Sequence, residues 1–554
     1  MSDLGMNIIL LLVGVALFIT GMSMMSSGLK KLSGRSVRKL FNKIKDSRFA
    51  GLGIGAAVTA LIQSSGATSV MAIGFINAGV MSVFQGVCII FGAYIGTTIT
   101  GILVSLSSFD FSIYLLLLSV IGVILSFFKN EKVKNFGELF AGLGILFFGL
   151  KTMQDAFNGD LLEGCKAIFA AISNPLLLML VGAIFTAIIQ SSSATSGIVI
   201  VMVGNGAIEL SSALYVVLGA TIGTVIVTMI ASIGGSINAK RTAWICLFAR
   251  LFTALVALAI VWPVEAATSN GLSNGLSSAF GNNLEITVAM FLVIYNIVFV
   301  GILLPFVKPM VNLAERLVKD KKAETRKKTL KYIDNRLLIT PSIAIGQAKN
   351  EIVHMLKLSQ DNLDIGFNML MTFDFSLRNE IIEREDDIDY INNSLTNFLI
   401  SLSHDASMKE EKKIGSYFHI INDIERIGDH AYNFYELSDK MYANDLEFSK
   451  QAKKELKGMY DVLTQMFVYV KEVFIYHDKE ALVKLHSLEE ETDKLKNTLS
   501  DAHYQRISNN ECNVELSPYY SSIISELERV ADHLVNIGYA HINPTGDDKV
   551  FVRK

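Results

Sequence analysis

The sequence predicts an all-α protein in two parts. The first is a polytopic membrane domain with two inverted repeats, each containing a re-entrant helical hairpin. The second is a soluble domain of two tandem three-helix bundles. Three observations carry this prediction. Composition changes sharply near residue 307, a polar heptapeptide recurs inside apolar flanks, and a nine-residue charged motif recurs further along.

The chain has 554 residues, 51% of them hydrophobic and 18% charged. At this length two or three units are expected. The apolar part is rich in Gly, Ser and Thr, and all nine histidines, from His354 to His541, lie beyond it. A net charge of -3 with no basic stripe gives nucleic acid nothing to bind. Cys88, Cys165, Cys246 and Cys512 are scattered and suggest no disulfide framework. No nucleophile triad, Walker loop or zinc-enzyme motif is present, so an enzyme is not expected.

Apolar runs of bilayer-spanning length fall near 7–28, 84–106, 111–128, 136–156, 212–234, 242–263 and 285–307. The stretches 50–80 and 175–208 are apolar but carry polar clusters at their centres, Gln63–Ser69 and Gln190–Ser196. So many polar groups at mid-depth suit broken segments buried in protein, not lipid-facing helices. Basic residues follow the first run (Lys30, Lys31, Arg35, Arg38, Lys39, Lys43, Lys45, Arg48), the third (Lys129, Lys132, Lys134) and the last, and Lys240 and Arg241 lie between two others. Asp3, Asp110, Asp160, Glu163, Glu265 and Glu285 mark the opposite ends. The positive-inside rule then predicts an outside N-terminus, seven crossings, two hairpins entering from opposite sides and a cytoplasmic second domain at the plasma membrane.

Gln63 and Gln190 are 127 residues apart, and the offset holds without a gap through Gly92–Thr97 and Gly219–Thr224. The repeats cover about 7–128 and 136–263, with an extra helix at 285–307. Three crossings separate the hairpins, and an odd number reverses orientation. Inverted repeats around broken helices recur in secondary transporters; small-residue packing between helices is the competing explanation. Gln and Ser/Thr oxygens suit a desolvated sodium ion, and hydroxyls with helix N-termini suit an oxyanion. The apolar part has no His and its acids lie mainly near predicted ends, which favours sodium over protons as the coupling ion.

The paired Q-S-S-x-A-T-S motifs, each followed by G-A-x-I-G-T, resemble the type II sodium–phosphate cotransporter family over residues 1–310. The resemblance implies a sodium-coupled phosphate carrier working by alternating access. Carried over by position, Gln190, Ser191 and Thr224 would bind sodium, with Gln63 and Thr97 as first-repeat counterparts. Ser64, Ser65, Ser192 and Ser193 would face phosphate, together with Thr68 and Thr195. Gly66 departs from the pattern by removing a hydroxyl. Bacterial members of the family carry a His and an Asn in the helix after the second G-A-x-I-G-T, where this chain has Cys246 and Arg250. Arg250 would pack against a carbonyl or acid, snorkel, or attract phosphate.

After a basic linker at 311–335, residues 336–545 show apolar positions at helical spacing. Glu425–Asn433 and Glu528–Asn536 both read E-R-x-x-D-H-x-x-N, and Glu385…Asp389 recurs as Glu489…Asp493. Each E-x-x-x-D pair puts two carboxylates on one helical face, where they repel. Glu385, Asp389, Glu425, Asp429, Glu489, Asp493, Glu528 and Asp532 therefore call for a cation: a divalent or trivalent metal, or a basic partner. A solvated acidic face, or ion pairs with Arg426 and Arg529, remains the alternative. The pattern resembles PhoU domains, which implies a regulatory role in phosphate uptake. Expected partners are inorganic phosphate and membrane lipid, with a second copy of the chain or a phosphate-signalling protein as candidates. A phosphate-sensing regulator, or a carrier or channel for another small oxyanion such as sulfate, is the competing function.

Overall fold

The computed structural model describes residues 3–41, 47–109, 112–172, 174–268, 271–318, 330–404, 406 and 408–543. The chain divides into two compact units, Met1–Lys322 and Ala323–Lys554. Lys43, Lys45 and Asp110, and linker residues 319–329, fall outside the described residues, as do the side chains of Arg35, Arg38 and Lys39.

All regular structure among the described residues is helical. The first unit opens with α1 (Asp3–Phe41), α2 (Arg48–Ile62), α3 (Ser65–Asn77), α4 (Val83–Gly96), α5 (Thr98–Ser105), α6 (Ser112–Leu115) and α7 (Leu117–Ser126). It continues with α8 (Glu131–Ala156), α9 (Gly159–Ala171), α10 (Pro175–Ile189), α11 (Ser192–Gly204), α12 (Leu210–Gly223) and α13 (Val225–Ser232). It closes with α14 (Ile237–Thr268), α15 (Gly271–Ala279), α16 (Leu284–Leu303) and α17 (Val307–Leu317). The four helices α2–α5 and the four helices α10–α13 share lengths and boundaries under one shift of 127 residues. Local chemistry sets these ends. Pro175 opens α10 behind an Asn174 cap that accepts from Leu176 N at 2.9 Å, and Ser82 with Gln85 forms a capping box on α4.

Among the described residues, six helical stretches are long and apolar enough to cross a membrane, by length and composition. The predicted run at 111–128 is not one continuous helix but α6 and α7, separated by a turn at Leu116. Ser119 supplies the reason. Its backbone N–H bonds to Leu116 O at 3.0 Å and its hydroxyl donates to the same oxygen at 2.6 Å, tightening the turn to an i→i−3 pattern. α1 also runs on to Phe41, so Lys30 and Lys31 lie on the helix instead of after it; Lys31 pairs with Glu138 at 2.7 Å. Helix α17 occupies the first part of the predicted linker.

α1 and α8 pack through glycines. A Cβ on Gly21 would lie 2.3 Å from Leu146 N, on Gly142 2.3 Å from Met25 N, and on Gly149 2.4 Å from Phe18 N. Gly14 meets Gly149, Gly21 meets Gly142 and Gly28 meets Asn135, so the helices run antiparallel. Small residues permit this backbone approach, which maximises dispersion contact where lipid offers no hydrophobic contrast. Leu176, Leu177, Leu180, Ile184 and Ile188 of α10 point outward as an apolar face.

The second unit comprises α18 (Pro341–Thr372), α19 (Arg378–Ser403), α20 (Met408–Ala443), α21 (Lys450–Tyr476), α22 (Lys479–Ser508) and α23 (Ser517–Ile542). They form two three-helix bundles, joined where α20 packs on α23. Ile420, Ile424, Ile427, Ala431 and Phe434 recur at helical spacing and are fully buried. Each such aliphatic or Phe side chain contributes about 1.5–3 kcal/mol. α18 and α21 both end on a left-handed residue, Phe373 (φ 55°) and His477 (φ 60°), at matching places in the repeat.

Candidate functional site

The two polar motifs fold alike. Gln63 ends α2 and Gln190 ends α10 in left-handed backbone (φ 56° and 59°), and the following serine caps the next helix. Ser64 Oγ accepts from Ala67 N at 3.2 Å, and Ser191 Oγ from Ala194 N at 3.2 Å. Thr68 Oγ1 donates to Ser64 O at 3.1 Å and accepts from buried Thr59 Oγ1 at 2.8 Å; Thr195, Ser191 and Thr186 repeat this at 3.2 and 2.8 Å. The single donors of Thr68 and Thr195 are thus committed to the turn. These hydroxyls hold the two arms of each motif together.

The turns differ in their surroundings. Gln63 is buried: Thr100 Oγ1 donates to its Oε1 at 2.8 Å, and its Nε2 donates to Ala60 O at 2.8 Å. Ser26 Oγ donates to Ile62 O at 2.6 Å beside it. The residues equivalent to Ser26 and Thr100 are Met153 and Val227, which can make neither bond, and Gln190 is exposed.

The G-A-x-I-G-T segments pack on these motifs. A Cβ on Gly55 would lie 1.9 Å from Ile89 O and one on Gly182 2.0 Å from Val216 O, so α2–α4 and α10–α12 are in backbone contact. Thr97 and Thr224 stand at the breaks between α4 and α5 and between α12 and α13. Their hydroxyls donate to Ala93 O (2.9 Å) and Ala220 O (3.0 Å), which leaves lone pairs to accept from a donor or ligate a cation.

Both segments meet at one cavity. Ser65 and Thr97 line it from the first repeat, and Ser192, Ser193 and Thr224 from the second. Ser64, Thr68, Gln63, Gln190, Ser191 and Thr195 lie off its lining. At ≈ 30 Å³ it has room for a water, so a larger solute needs the walls to separate.

Arg250 of α14 also lines the cavity. It is 6% exposed, its guanidinium carbon sits 3.5 Å from the Tyr94 ring centroid, and Nη1 donates to Asn296 Oδ1 at 3.0 Å. Its Nε has no hydrogen-bond partner among the described residues. A cation–π contact contributes about 0.5–2 kcal/mol. Desolvating an ion costs several kcal/mol, so Arg250 is under-compensated. With Gly101, Ser196 and Leu292, the cavity is also lined by Tyr94, Thr98, Thr221 and Asn296. The sequence reading missed them because Tyr94 and Thr221 hold the variable place in G-A-x-I-G-T and Asn296 lies outside the repeats.

In the second unit, Glu385, Asp389 and Asp429 come together, each offering an oxygen within 4.8 Å of the others. Burial, then the Asp429 and Asp389 charges, raises the Glu425 carboxyl above its usual range; burial and Asp389 raise Asp429. Asn392, one turn beyond Asp389, has a buried Oδ1 with no hydrogen-bond partner among the described residues. This donor set fits a hard cation. Among the described residues, the expected equivalents Glu489, Asp493, Glu528 and Asp532 are not brought within the same 4.8 Å of one another. Lys496, at the place of Asn392, lies 3.1 Å from Glu528 and supplies the positive charge instead; His486 lies 3.4 Å from Glu489.

The rest of the nine-residue motif builds the interface between bundles. His430 Nδ1 contacts the Glu526 carboxylate, His533 Nδ1 lies 2.9 Å from Asp423, and the two rings stack 5.5 Å apart. Each acid stands seven residues before a motif His, a signal present in the sequence and not used.

Comparison with known proteins identifies the families of both units. The model of the Na+/Pi-cotransporter family matches residues 17–155 and 162–270, and that of the PhoU domain matches 352–438 and 456–540. Escherichia coli (strain K12) YjbB, provisionally named an inorganic phosphate export protein, is 25% identical over 97% of this chain and 98% of its own. Bacillus subtilis YqeW, an uncharacterised protein, is 31% identical over 38% of this chain and 67% of its own. Mouse sodium-dependent phosphate transport protein 2A is 31% identical over 18% of this chain and 16% of its own. No solved structure matches the chain. The chain is a multi-pass membrane protein that belongs to the Na+/Pi-cotransporter family and carries a PhoU domain in its second unit.

Proposed function

We propose that the chain carries inorganic phosphate across the plasma membrane, coupled to sodium, by alternating access of two inverted repeats. The observation that carries this reading is the cavity shared by Ser65 and Thr97 of one repeat and Ser192, Ser193 and Thr224 of the other. Thr97 and Thr224, with lone pairs free, are the candidate sodium ligands at the cavity, and Gln190 and Ser191 join Thr224 when the second turn closes. Ser65, Ser192 and Ser193 are the candidate phosphate donors. The antiparallel α1–α8 pair supports inversion, because these helices open the two repeats. α2, α3, α10 and α11 are too short to span a bilayer singly, which supports re-entrant hairpins. The unequal burial of Gln63 and Gln190 fits a carrier on one side of its cycle. Net direction follows the gradients, and the name of the E. coli relative is consistent with export. Labelled-phosphate flux in proteoliposomes tests the reading. Flux should require a sodium gradient; equal flux with choline, and acceleration by a proton gradient, would sink it.

The N-terminus is assigned outside and the PhoU domain to the cytoplasm, on the basic residues of the loops. With Asn274→Cys, an impermeant maleimide should label the new thiol in intact cells and leave Cys512 unlabelled. The reverse pattern overturns the orientation. The PhoU domain is assigned a regulatory role through metal bound at Glu385, Asp389 and Asp429, with Glu425 adjoining.

A further inference from the structure

We infer that Arg250 is the anion-recognising residue of the cavity, a role that rests on the phosphate reading and adds to it a fixed positive charge. The residue-by-residue reading of the motifs assigns only neutral hydroxyls and amides to the substrate. Arg250 lies outside both motifs, near the middle of α14.

The guanidinium of a residue only 6% exposed needs a counter-charge or a full set of hydrogen bonds. Among the described residues neither is present: the neutral Asn296 amide takes one N–H and the face of Tyr94 takes the π contact, while Nε has no partner. The two contacts orient the group. Stacking on Tyr94 fixes the plane and Asn296 fixes the rotation, so the edge bearing Nε is pre-set. That edge is a planar fork suited to two oxygens of one tetrahedral oxyanion. Ser65, Ser192 and Ser193 line the same cavity and can complete the donors. An arginine serving only to pack two helices would spend its donors on backbone carbonyls. Here an arginine with an unused donor is among the side chains that line the cavity with Ser65, Ser192 and Ser193, inside an apolar unit where an ionisable group is expected to serve the solute.

The test is calorimetric titration of inorganic phosphate into the full-length protein in detergent with saturating sodium, alongside sulfate and the unfolding temperature of each variant without ligand. Arg250→Gln should bind phosphate about 30-fold or more weakly than wild type. Arg250→Lys, which keeps the charge and loses the fork, should fall between them, about 10-fold down. Arg250→Gln that binds within twofold of wild type overturns the inference, and so does one that unfolds earlier but keeps its affinity. If Arg250→Gln does not fold, Arg250→Lys decides: affinity within twofold of wild type overturns the assignment. Wild type that binds sulfate and not phosphate removes the phosphate reading alone, and the same variants are then scored with sulfate. Wild type that binds neither overturns both.

Discussion

Thr59 donates its hydroxyl to Thr68 at 2.8 Å across the Gln63 turn, and Thr186 repeats the bond to Thr195 at 2.8 Å across the Gln190 turn. The bond joins buried groups, so breaking it from one side leaves an unpaired oxygen. Thr186→Val should cost about 1–2 kcal/mol of stability, and Thr186→Val with Thr195→Val less than the sum of the two single changes. Denaturant titration of the four proteins checks this. Full additivity would remove the staple.

Thr97 and Thr224 separate the ion from the anion experimentally. Thr224→Ala should raise the sodium concentration for half-maximal flux about tenfold or more, whereas Thr224→Ser should stay near wild type. Phosphate affinity at saturating sodium should change less. An unaltered sodium dependence in Thr224→Ala, with flux intact, removes the threonine from the ion site.

Backbone contact between α1 and α8 leaves no room for a methyl group. Gly21→Ala places a Cβ 2.3 Å from Leu146 N, while Gly53→Ala meets nothing within 4 Å. The first should cost about 1–3 kcal/mol or more and the second should be neutral or stabilising. Comparison of the two unfolding temperatures in detergent decides. Equal values contradict the close crossing.

Metal should load the first PhoU bundle and spare the second. Asp389→Asn or Asp429→Asn should lower bound metal 10-fold or more, and Glu528→Gln should leave it unchanged, by elemental analysis of protein purified without chelator. The raised carboxyls of Glu425 and Asp429 favour protons, so without metal their contribution to stability declines as pH rises above the ordinary carboxylate range. Metal should restore it, and acidification should release the metal. Equal loss of metal in Glu528→Gln would restore the symmetric arrangement.

His541 packs 4.6 Å from Phe474, and burial, with Lys349, His477 and Lys413 nearby, pushes its imidazole down to about 3. The unfolded chain therefore takes up a proton from about pH 6.5 downward that the fold refuses. Stability should fall between pH 6.5 and about 3, by about 1–2 kcal/mol at pH 5 once partial exposure is allowed for. His541→Phe should flatten that decline in a urea titration read from a label on α23. A wild-type profile flat to pH 4 overturns the argument.

Periodicity and repetition are legible in the sequence alone. Apolar run length marks helices because a buried backbone must bond within itself, and the 127-residue offset carried over to the bounds of eight helices. The Gln–Ser turns were legible as interruptions, since polar groups in apolar flanks must be buried in protein. Four features were not legible, the last three because they depended on packing between distant segments. The separation of α6 from α7 turns on one serine back-bonding to Leu116. The difference between Gln63 and Gln190 comes from Ser26 and Thr100, which lie outside the motif and have no polar counterparts. The eight carboxylates look equivalent along the chain, yet Lys496 pairs with Glu528 in one set where the other set has the uncharged Asn392. Arg250 had no assignable role until α16 brought Asn296, and α4 brought Tyr94, against it. A pattern of spacing encodes which face of a helix is buried. Which charge ends beside which is a sum over segments far apart in sequence, and only the folded chain evaluates it.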